Sequence, residues 1–419
     1  MHKLLNRDFL NYGGLFYFYF MIWAIVLAFL PLWLKDTAGL NETEAGFVFS
    51  SMSLIALCYH PFFGVIQDKL CYRKNLFAVI AIALLFMGPF FSYLFQELLA
   101  YNVYAGALLG SGYLSLCFFG GVGVVESFIE KVSRKNGFEY GHVRLFGSLA
   151  GATATFIGGM LYVNNPNSIF WFGSGSAVLL CILLYLARVK NEDTTENTAA
   201  AKAPGITKQD VLQILKLKSF WAFALIIVGT ASIYDVFDQQ FPNYYVTFFA
   251  TKEAGIDTFS KLCATQTALE AVLMVFAPAL VNKIGAKRGL LLFGLLTFVR
   301  IAGSAVFTTP MALSAFRLIA AFEMPLMLVS VMKYIASVFD VRLSATVYLL
   351  GFNLAKQGAV VIFSSVAGGM YSSLGFQSTY MFLAASVLII TLISVFTLSN
   401  DKALKEKAAK EKLVAAVEH

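Results

Sequence analysis

Nine charged side chains of this chain lie within stretches that are otherwise apolar. An ionised group surrounded by hydrocarbon is costly, so it needs an opposite charge, a water-filled cavity or a proton that neutralises it. Such groups can therefore pair with one another, hold a polar ligand, or take up and release a proton. Five are acids and four are bases: Glu126, Arg144, Asp235, Asp238, Glu270, Arg300, Arg317, Glu323 and Lys356.

Glu126 and Arg144 stand on either side of one polar turn. Residues 122–146 read VGVVESFIEKVSRKNGFEYGHVRLF, with a polar middle at residues 130–137 between two apolar stretches. If both stretches are membrane helices, the two charges face each other several residues inside the apolar layer. We expect them to pair or to meet a water-filled cavity, and a buried charge of this kind indicates function.

Two further acids, Asp235 and Asp238, are three residues apart and so share one helix face, with Tyr234 beside them. Arg317 and Lys356 lie on other predicted helices of the same half of the chain, and pairing would offset the cost of desolvation. Two interpretations are open for these four charges: they fix helix packing, or they take part in function. The first is favoured, because neutralised pairs are what a membrane bundle tolerates.

Glu323 is the best candidate for a proton carrier. Because five acids face only four bases, one acid is left over in this count and should bind a proton instead. Glu323 lies in the apolar segment 319–325, where desolvation favours the neutral carboxyl. A carboxyl that gains and loses a proton within a membrane is what proton coupling requires. Arg300 is the cation that could help to remove this proton.

The composition indicates that these charges lie in a membrane protein. Hydrophobic residues make up 59% of the chain and charged residues only 13%, about half the charged share of a soluble domain. Apolar stretches long enough to span a bilayer follow one another with short breaks, and we predict twelve helices. Their approximate bounds are 9–34, 45–66, 75–98, 104–129, 142–163, 167–187, 219–248, 256–281, 288–307, 311–337, 343–371 and 377–398.

The predicted helices form two groups of six. The prediction is an all-α integral membrane protein, with one six-helix bundle in residues 1–189 and another in residues 219–399. Residues 190–218 are polar and rich in Ala, Thr and Lys, which indicates a flexible linker between the bundles. Residues 400–419 are predicted to form a charged tail. Two successive groups of six helices are typical of transporters.

Positive charge predicts the orientation of these helices. Most of the 31 Lys and Arg fall on the side of the termini and the linker, while Lys35, Lys252 and Lys261 fall on the opposite side. Both termini are therefore predicted to be cytoplasmic. This bias explains the net charge of +7, so nucleic acid is not an expected partner. The five cysteines and four histidines are scattered and no phosphate-binding loop is visible, so we expect no metal, no cofactor, no catalytic triad and no ATP-driven pump.

The segments around the charges resemble the oligosaccharide–proton symporters, the lactose permease branch of the major facilitator superfamily. The most specific pieces are ESFIEKVSR (126–134) with Arg144, YDVFDQQ (234–240), VR (299–300), FEMP (322–325) and KQ (356–357). The resemblance runs nearly end to end and implies the fold of that family. It also implies these roles: sugar binding by Glu126 and Arg144, proton binding by Glu323 with Arg300 assisting, and charge pairs of Asp235 with Lys356 and Asp238 with Arg317.

Departures from the family pattern fall on the residues that bind sugar. Gly151 stands where lactose permease stacks a tryptophan on the galactosyl ring, Thr267 where it has an essential acid, and Ala320 where it has a sugar-binding histidine. Glu270 follows Thr267 by close to one helical turn and could present its carboxylate to the same cavity. Trp23 is similar to the sucrose permease pattern, as are Ser148, Gln266 and Glu270.

Further sugar contacts are expected on both halves of the chain. Beside Glu126 and Arg144, these positions are Phe20, Trp23, Gly151, Glu270 and Gln357. For Phe20 and Trp23, packing in the core or against lipid is the alternative to lining a cavity.

We therefore predict a proton-coupled symporter that imports a disaccharide or small oligosaccharide of lactose, melibiose, raffinose or sucrose type by alternating access. It is expected to be a monomer that passes several times through the bacterial inner membrane, with lipid, sugar and proton as partners, and not an enzyme. One alternative is a proton-coupled antiporter that exports sugars or drugs on the same scaffold. Another is a sugar sensor that does not transport, although the coupling charges Glu323 and Arg300 argue against it.

Overall fold

The computed structural model describes residues 7–70, 74–136, 140–187, 208–340 and 343–401. Over these residues the chain forms helices, joined by turns and short irregular segments, and contains no strand. The all-α prediction is therefore confirmed.

Eight helices cover the described residues up to 187. They are α1 (Arg7–Asp36), α2 (Glu42–Leu70), α3 (Asn75–Leu85), α4 (Met87–Tyr101), α5 (Val103–Leu114), α6 (Gly121–Asn136), α7 (Tyr140–Asn164) and α8 (Ser168–Leu186). Helices α3 and α4 meet at an angle of 48°. Helices α5 and α6 are joined without a break by a π-helical turn, Ser115–Gly120.

Nine helices follow in the described residues from 208 onward. They are α9 (Lys208–Lys216), α10 (Lys218–Ile226), α11 (Ser232–Tyr245), α12 (Lys252–Ile284), α13 (Ala286–Val306), α14 (Pro310–Leu318), α15 (Ala320–Val338), α16 (Ser344–Val347) and α17 (Ala355–Thr397). Helix α9 lies in the segment predicted as a flexible linker. The structure differs there because Ile214, on one face of α9, is fully buried. Residues 190–207 of the predicted linker lie outside the described part.

Nine helical stretches of the described residues are long and apolar enough to span a membrane, or ten if α3 and α4 together form one span. One stretch, Tyr348–Thr397, has 50 residues, and a single crossing needs about 20. Gly375 interrupts it with φ 79° and ψ 172°, a conformation that glycine adopts readily because it has no side chain. The exact number of twelve spans stays a prediction.

Contacts between residues divide the chain into two compact units. The first comprises Met1–Gly205, Asp238–Ala271 and Ser364–Leu374. The second comprises Ile206–Phe237, Val272–Phe363 and Gly375–His419. Parts of α11, α12 and α17 thus pack with the helices of the first half of the sequence. The predicted six-helix bundles follow the order of helices in the chain rather than these contacts, and they stay a prediction.

Glycines allow this packing within the first unit. A Cβ added at Gly46 on α2 would lie 2.5 Å from the carbonyl oxygen of Ser364 and 3.0 Å from the Cα of Gly368, both on α17. A Cβ added at Gly159 on α7 would collide with the hydroxyl of Ser260 on α12. Helices approach this closely only where side chains are small or absent, so these positions fix α2 and α7 against α17 and α12.

The last described residue of the second unit holds the beginning of α13. The carboxylate of Asp401 accepts hydrogen bonds from the backbone N–H groups of Ala286 at 2.8 Å and Lys287 at 3.0 Å. A carboxylate at a helix N-terminus satisfies otherwise free N–H groups and interacts favourably with the helix dipole. The predicted charged tail therefore begins with a helix cap, and residues 402–419 lie outside the described part.

Candidate functional site

The structure brings Glu126 and Arg144 together in the first unit. Glu126 lies on α6 and Arg144 on α7, and Nη1 of the arginine donates a hydrogen bond to Oε1 of the glutamate at 2.5 Å. The side chain of Glu126 is 34% exposed and that of Arg144 is 43% exposed. An ion pair with this degree of exposure contributes little to stability, because solvent reaches part of both side chains. The pair is therefore able to exchange part of its solvation for a polar ligand.

A second carboxylate belongs to the same group of charges. Arg144 interacts electrostatically with Glu270 on α12 and with Tyr140 on its own helix, as well as with Glu126. The sequence predicts that Glu270 presents its carboxylate to the sugar cavity, and the structure places it within electrostatic range of Arg144. Two acids thus interact with one guanidinium at this site.

Aromatic side chains of α1 lie close to small residues of α7. Phe20 and Trp23 are both half-buried, with ring centroids 6.1 Å apart. Phe20 also stacks on Phe16 at 4.5 Å, and both rings lie beside Gly147. The absence of a side chain at Gly147 gives these two rings of α1 their space.

Gly151, one turn further along α7, faces α12. A Cβ added there would lie 2.9 Å from Cγ2 of Thr267, so a larger residue would require that methyl group to move. Two of the three positions that depart from the lactose permease pattern, Gly151 and Thr267, are therefore neighbours in space. The role of Gly151 in sugar binding stays a prediction.

Arg300 and Glu323 form an ion pair of a different kind in the second unit. Nε of Arg300 on α13 lies 2.9 Å from Oε2 of Glu323 on α15, and both side chains are 0% exposed. The rings of Tyr234 and Phe237 on α11 lie over the guanidinium, with centroids 4.4 and 4.8 Å from its Cζ. Because neither charged side chain is exposed to solvent, each of the two charges depends strongly on the other.

The count of acids and bases is wrong about Glu323. It assigns Glu323 as the acid left over, yet this residue is paired with Arg300. At the more accessible site, by contrast, Glu126 and Glu270 both interact with Arg144. A count over the whole chain cannot show which acid lies beside which base, because it treats all charges as one group although they belong to separate clusters.

Asp235 and Lys356 form a third ion pair. Nζ of Lys356 on α17 lies 2.8 Å from Oδ2 of Asp235 on α11, and the side chains are 18% and 28% exposed. The hydroxyl of Ser232 donates a hydrogen bond to the backbone carbonyl of Lys356 at 3.1 Å. The two helices are therefore held together by a side-chain and a backbone contact at the same level.

The remaining charges predicted for the site are placed as follows. Arg317 is buried on α14 in the second unit, and Asp238 on α11 belongs to the first unit, where it interacts electrostatically with Tyr371. Their pairing stays a prediction. Gln357 is half-buried next to Lys356. Over the described residues, no three His, Cys, Asp or Glu side chains lie together as a metal site would require.

The chain matches a known family over nearly its whole length. Residues 1–410 match the model of the LacY proton/sugar symporter. The protein belongs to the LacY symporter family. Among its relatives are the raffinose permease of Escherichia coli, 42% identical over 99% of this chain and 97% of the relative, and the melibiose permease of Enterobacter cloacae, 42% identical over 98% and 97%. The lactose permease of Klebsiella oxytoca is 40% identical over 91% and 92%.

Solved structures agree on the fold of this LacY-family chain. A nucleoside transporter, NupG, superposes with a TM-score of 0.77 at 13% identity, covering 94% of this chain and 99% of the other. A D-xylose–proton symporter gives 0.62 at 15% identity, covering 94% and 97%. The predicted major facilitator fold is thereby confirmed. The family and its relatives are bacterial multi-pass transporters, which implies a bacterial inner membrane.

Two features of this LacY-family site are missed by the sequence reasoning. The first is the pair of rings on Arg300. The signal in the sequence that could have indicated it is the spacing of Tyr234 and Phe237 around Asp235. The second is a set of π-helical turns directly before charged helices: Ser115–Gly120, Ile227–Ala231 and Tyr348–Leu354. Such turns are frequent at functional sites, and their hydrogen-bond shift has no signal in a single sequence.

Proposed function

We propose that the protein imports a small oligosaccharide together with a proton by alternating access. One observation carries this proposal: in the described part of the chain, two Arg–carboxylate pairs differ sharply in their exposure to solvent. The Glu126–Arg144 pair is 34–43% exposed, whereas the Arg300–Glu323 pair is 0% exposed. The same chemistry in an accessible and in a dry environment suits two different ligands, a sugar and a proton.

Glu126 and Arg144 are proposed to hold sugar hydroxyls. A guanidinium has several N–H donors in one plane and a carboxylate has two acceptor oxygens, so together they complement neighbouring hydroxyl groups. Their exposure means that bound sugar replaces water instead of breaking a dry contact. Glu270, which interacts with Arg144, supplies a further acceptor. Phe20, Trp23, Gly151 and Gln357 are proposed to complete the binding surface, the rings by packing against apolar faces of the sugar.

Glu323 is proposed to carry the proton, with Arg300 stabilising its ionised form. Because the pair is fully buried, protonation removes an ion pair without any change in solvation by bulk water. Such a change can be linked to the conformation of the surrounding helices, since a dry ion pair and a neutral carboxyl favour different packing. Asp235 and Lys356 are proposed to fix α11 against α17, and Asp238 with Arg317 to form a fourth pair.

The relatives suggest which sugars to test. The raffinose permease and the melibiose permease are each 42% identical to this chain, and a sucrose permease of Escherichia coli is 33% identical over 92% of it. We propose an oligosaccharide of this type as substrate. The protein would act as a monomer without covalent chemistry on the sugar. The positive charges of its loops support a cytoplasmic position for both termini.

Uptake by membrane vesicles tests this function. Vesicles that contain the protein would be given radiolabelled raffinose, melibiose, lactose or sucrose, with and without an inward proton gradient. We expect at least one sugar to accumulate above its external concentration only when the gradient is present. Accumulation without a gradient, or a gradient that expels preloaded sugar in exchange for protons, would contradict symport; the second result would support the antiporter.

A further inference from the structure

Aromatic rings as well as a carboxylate surround the guanidinium of Arg300. Its Cζ lies 4.4 Å from the ring centroid of Tyr234 and 4.8 Å from that of Phe237. Both distances are within the range of about 6 Å over which a ring face attracts a cation. Arg300, Glu323 and Phe237 are 0% exposed and Tyr234 is 6% exposed. The attraction is therefore not weakened by water.

Helix α11 fixes the positions of these rings. Tyr234 and Phe237 are three residues apart and so share one face of the helix. Phe237 packs against Tyr380 of α17 with centroids 4.6 Å apart, and Tyr234 lies 6.3 Å from Phe293 of α13. The ring contacts on Arg300 thus do not require Glu323 in order to stay in place.

We infer that Tyr234 and Phe237 are positioning residues for proton coupling, which hold Arg300 and stabilise its charge when Glu323 is protonated. This inference rests on the proposed function, in which Glu323 carries the proton. While Glu323 is ionised, its carboxylate offsets most of the guanidinium charge. When Glu323 binds a proton that compensation is lost, and the negative faces of the rings stabilise a larger remaining charge. The rings therefore favour the protonated state over the ionised one.

The other charged residues on the surrounding helices are left as they are by the aromatic substitutions that test this inference. Asp235 on α11 is paired with Lys356 on α17 at 2.8 Å, and Arg317 lies on α14. Asp238 follows on α11 in the first unit, and the titratable hydroxyl groups nearby are those of Tyr234 and Tyr380. The substitutions of Phe237, Tyr234 and Phe223 described below exchange one neutral side chain for another, so they keep every formal charge.

The experiment measures the affinity of the purified full chain for raffinose, or for melibiose if it binds more tightly, over a series of pH values. Sugar that binds with a proton has an affinity that falls as pH rises through a midpoint. Phe237→Leu removes one ring, so the protonated state is less stable and more acid is needed to form it. We expect the midpoint to move to lower pH by about one unit, a tenfold change in proton affinity or about 1.4 kcal/mol.

Two variants separate this effect from a general loss of packing. Phe237→Tyr keeps a ring and should keep the midpoint to within about 0.3 unit, a change of about twofold. Phe223→Leu removes a ring that is equally buried in the same unit, where it stacks on Tyr334 at 5.6 Å. It should leave the midpoint unchanged. If Phe237→Leu does not yield folded protein, Tyr234→Leu tests the same claim from the other ring.

An unchanged midpoint in Phe237→Leu, or an equal shift in Phe223→Leu, would overturn the inference. Glu323→Gln distinguishes such a failure from a failure of the proposed function. If Glu323→Gln removes the pH dependence while Phe237→Leu leaves the midpoint in place, Glu323 carries the proton and only the role of the rings is refuted. If Glu323→Gln keeps the pH dependence, the proton site itself is wrongly assigned.

Discussion

Replacing Arg144 with lysine is expected to weaken sugar binding while leaving the fold intact. Arg144→Lys keeps the positive charge beside Glu126 but loses the planar set of donors. The pair is 34–43% exposed, so its loss should change the free energy of unfolding by no more than about 1 kcal/mol. A hydrogen bond to a charged group contributes about 1.5–3 kcal/mol, so losing one to a sugar hydroxyl should weaken affinity about 10- to 150-fold.

Binding of raffinose, melibiose, lactose and sucrose to purified protein at one fixed pH measures this effect. Arg288→Lys is the matched control, because it makes the same exchange at an exposed position outside the proposed site. We expect the control to bind like the wild type and both variants to melt within a few degrees of it. If Arg144→Lys binds every sugar as tightly as the control does, a role for the Arg144 guanidinium in holding sugar is refuted.

Two further substitutions test other parts of the proposed site. Glu270→Gln removes one charged acceptor and should lower the affinity for at least one sugar about tenfold, as measured by competition binding. Unchanged affinity for every sugar would mean that Glu270 has only a structural role. Lys356→Ala removes the lysine 2.8 Å from Asp235 and should lower the yield of folded protein and its melting temperature. The double variant Asp235→Ala/Lys356→Ala leaves no unpaired charge and should recover much of the yield and of the melting temperature. A double variant no more stable than Lys356→Ala alone would contradict the pairing argument.

The sequence was enough to predict the fold class and several of the charge contacts. Long apolar stretches indicate membrane helices directly, and charges inside such stretches must find partners, which is why Glu126 with Arg144 could be anticipated. The same argument predicted a basic partner for Asp235, and the family resemblance identified that partner as Lys356. The structure shows both pairs. The resemblance to the oligosaccharide–proton symporters was needed to connect Arg300 with Glu323, because the count of charges assigned Glu323 no base.

Features that depend on contacts between distant residues could not be predicted in this way. The rings over Arg300 depend on how α11 faces α13, and the contact of Gly151 with Thr267 depends on where α7 crosses α12. The packing of residues 238–271 and 364–374 with the first unit is also a matter of helix approach, made possible by glycines that show no spacing pattern along the chain. Exposure, which distinguishes the two Arg–carboxylate pairs, is likewise a property of the folded protein.

Transport by Glu323→Gln is the most direct test of coupling. Glutamine resembles the protonated carboxyl but cannot release a proton. In vesicles, the variant should exchange internal labelled sugar for external unlabelled sugar as the wild type does, because exchange requires no deprotonation. It should not accumulate sugar against a concentration gradient, because return of the empty carrier requires Glu323 to lose its proton. Accumulation of sugar by Glu323→Gln under a proton gradient would contradict the account, and Asp238 would then be the next carboxylate to test.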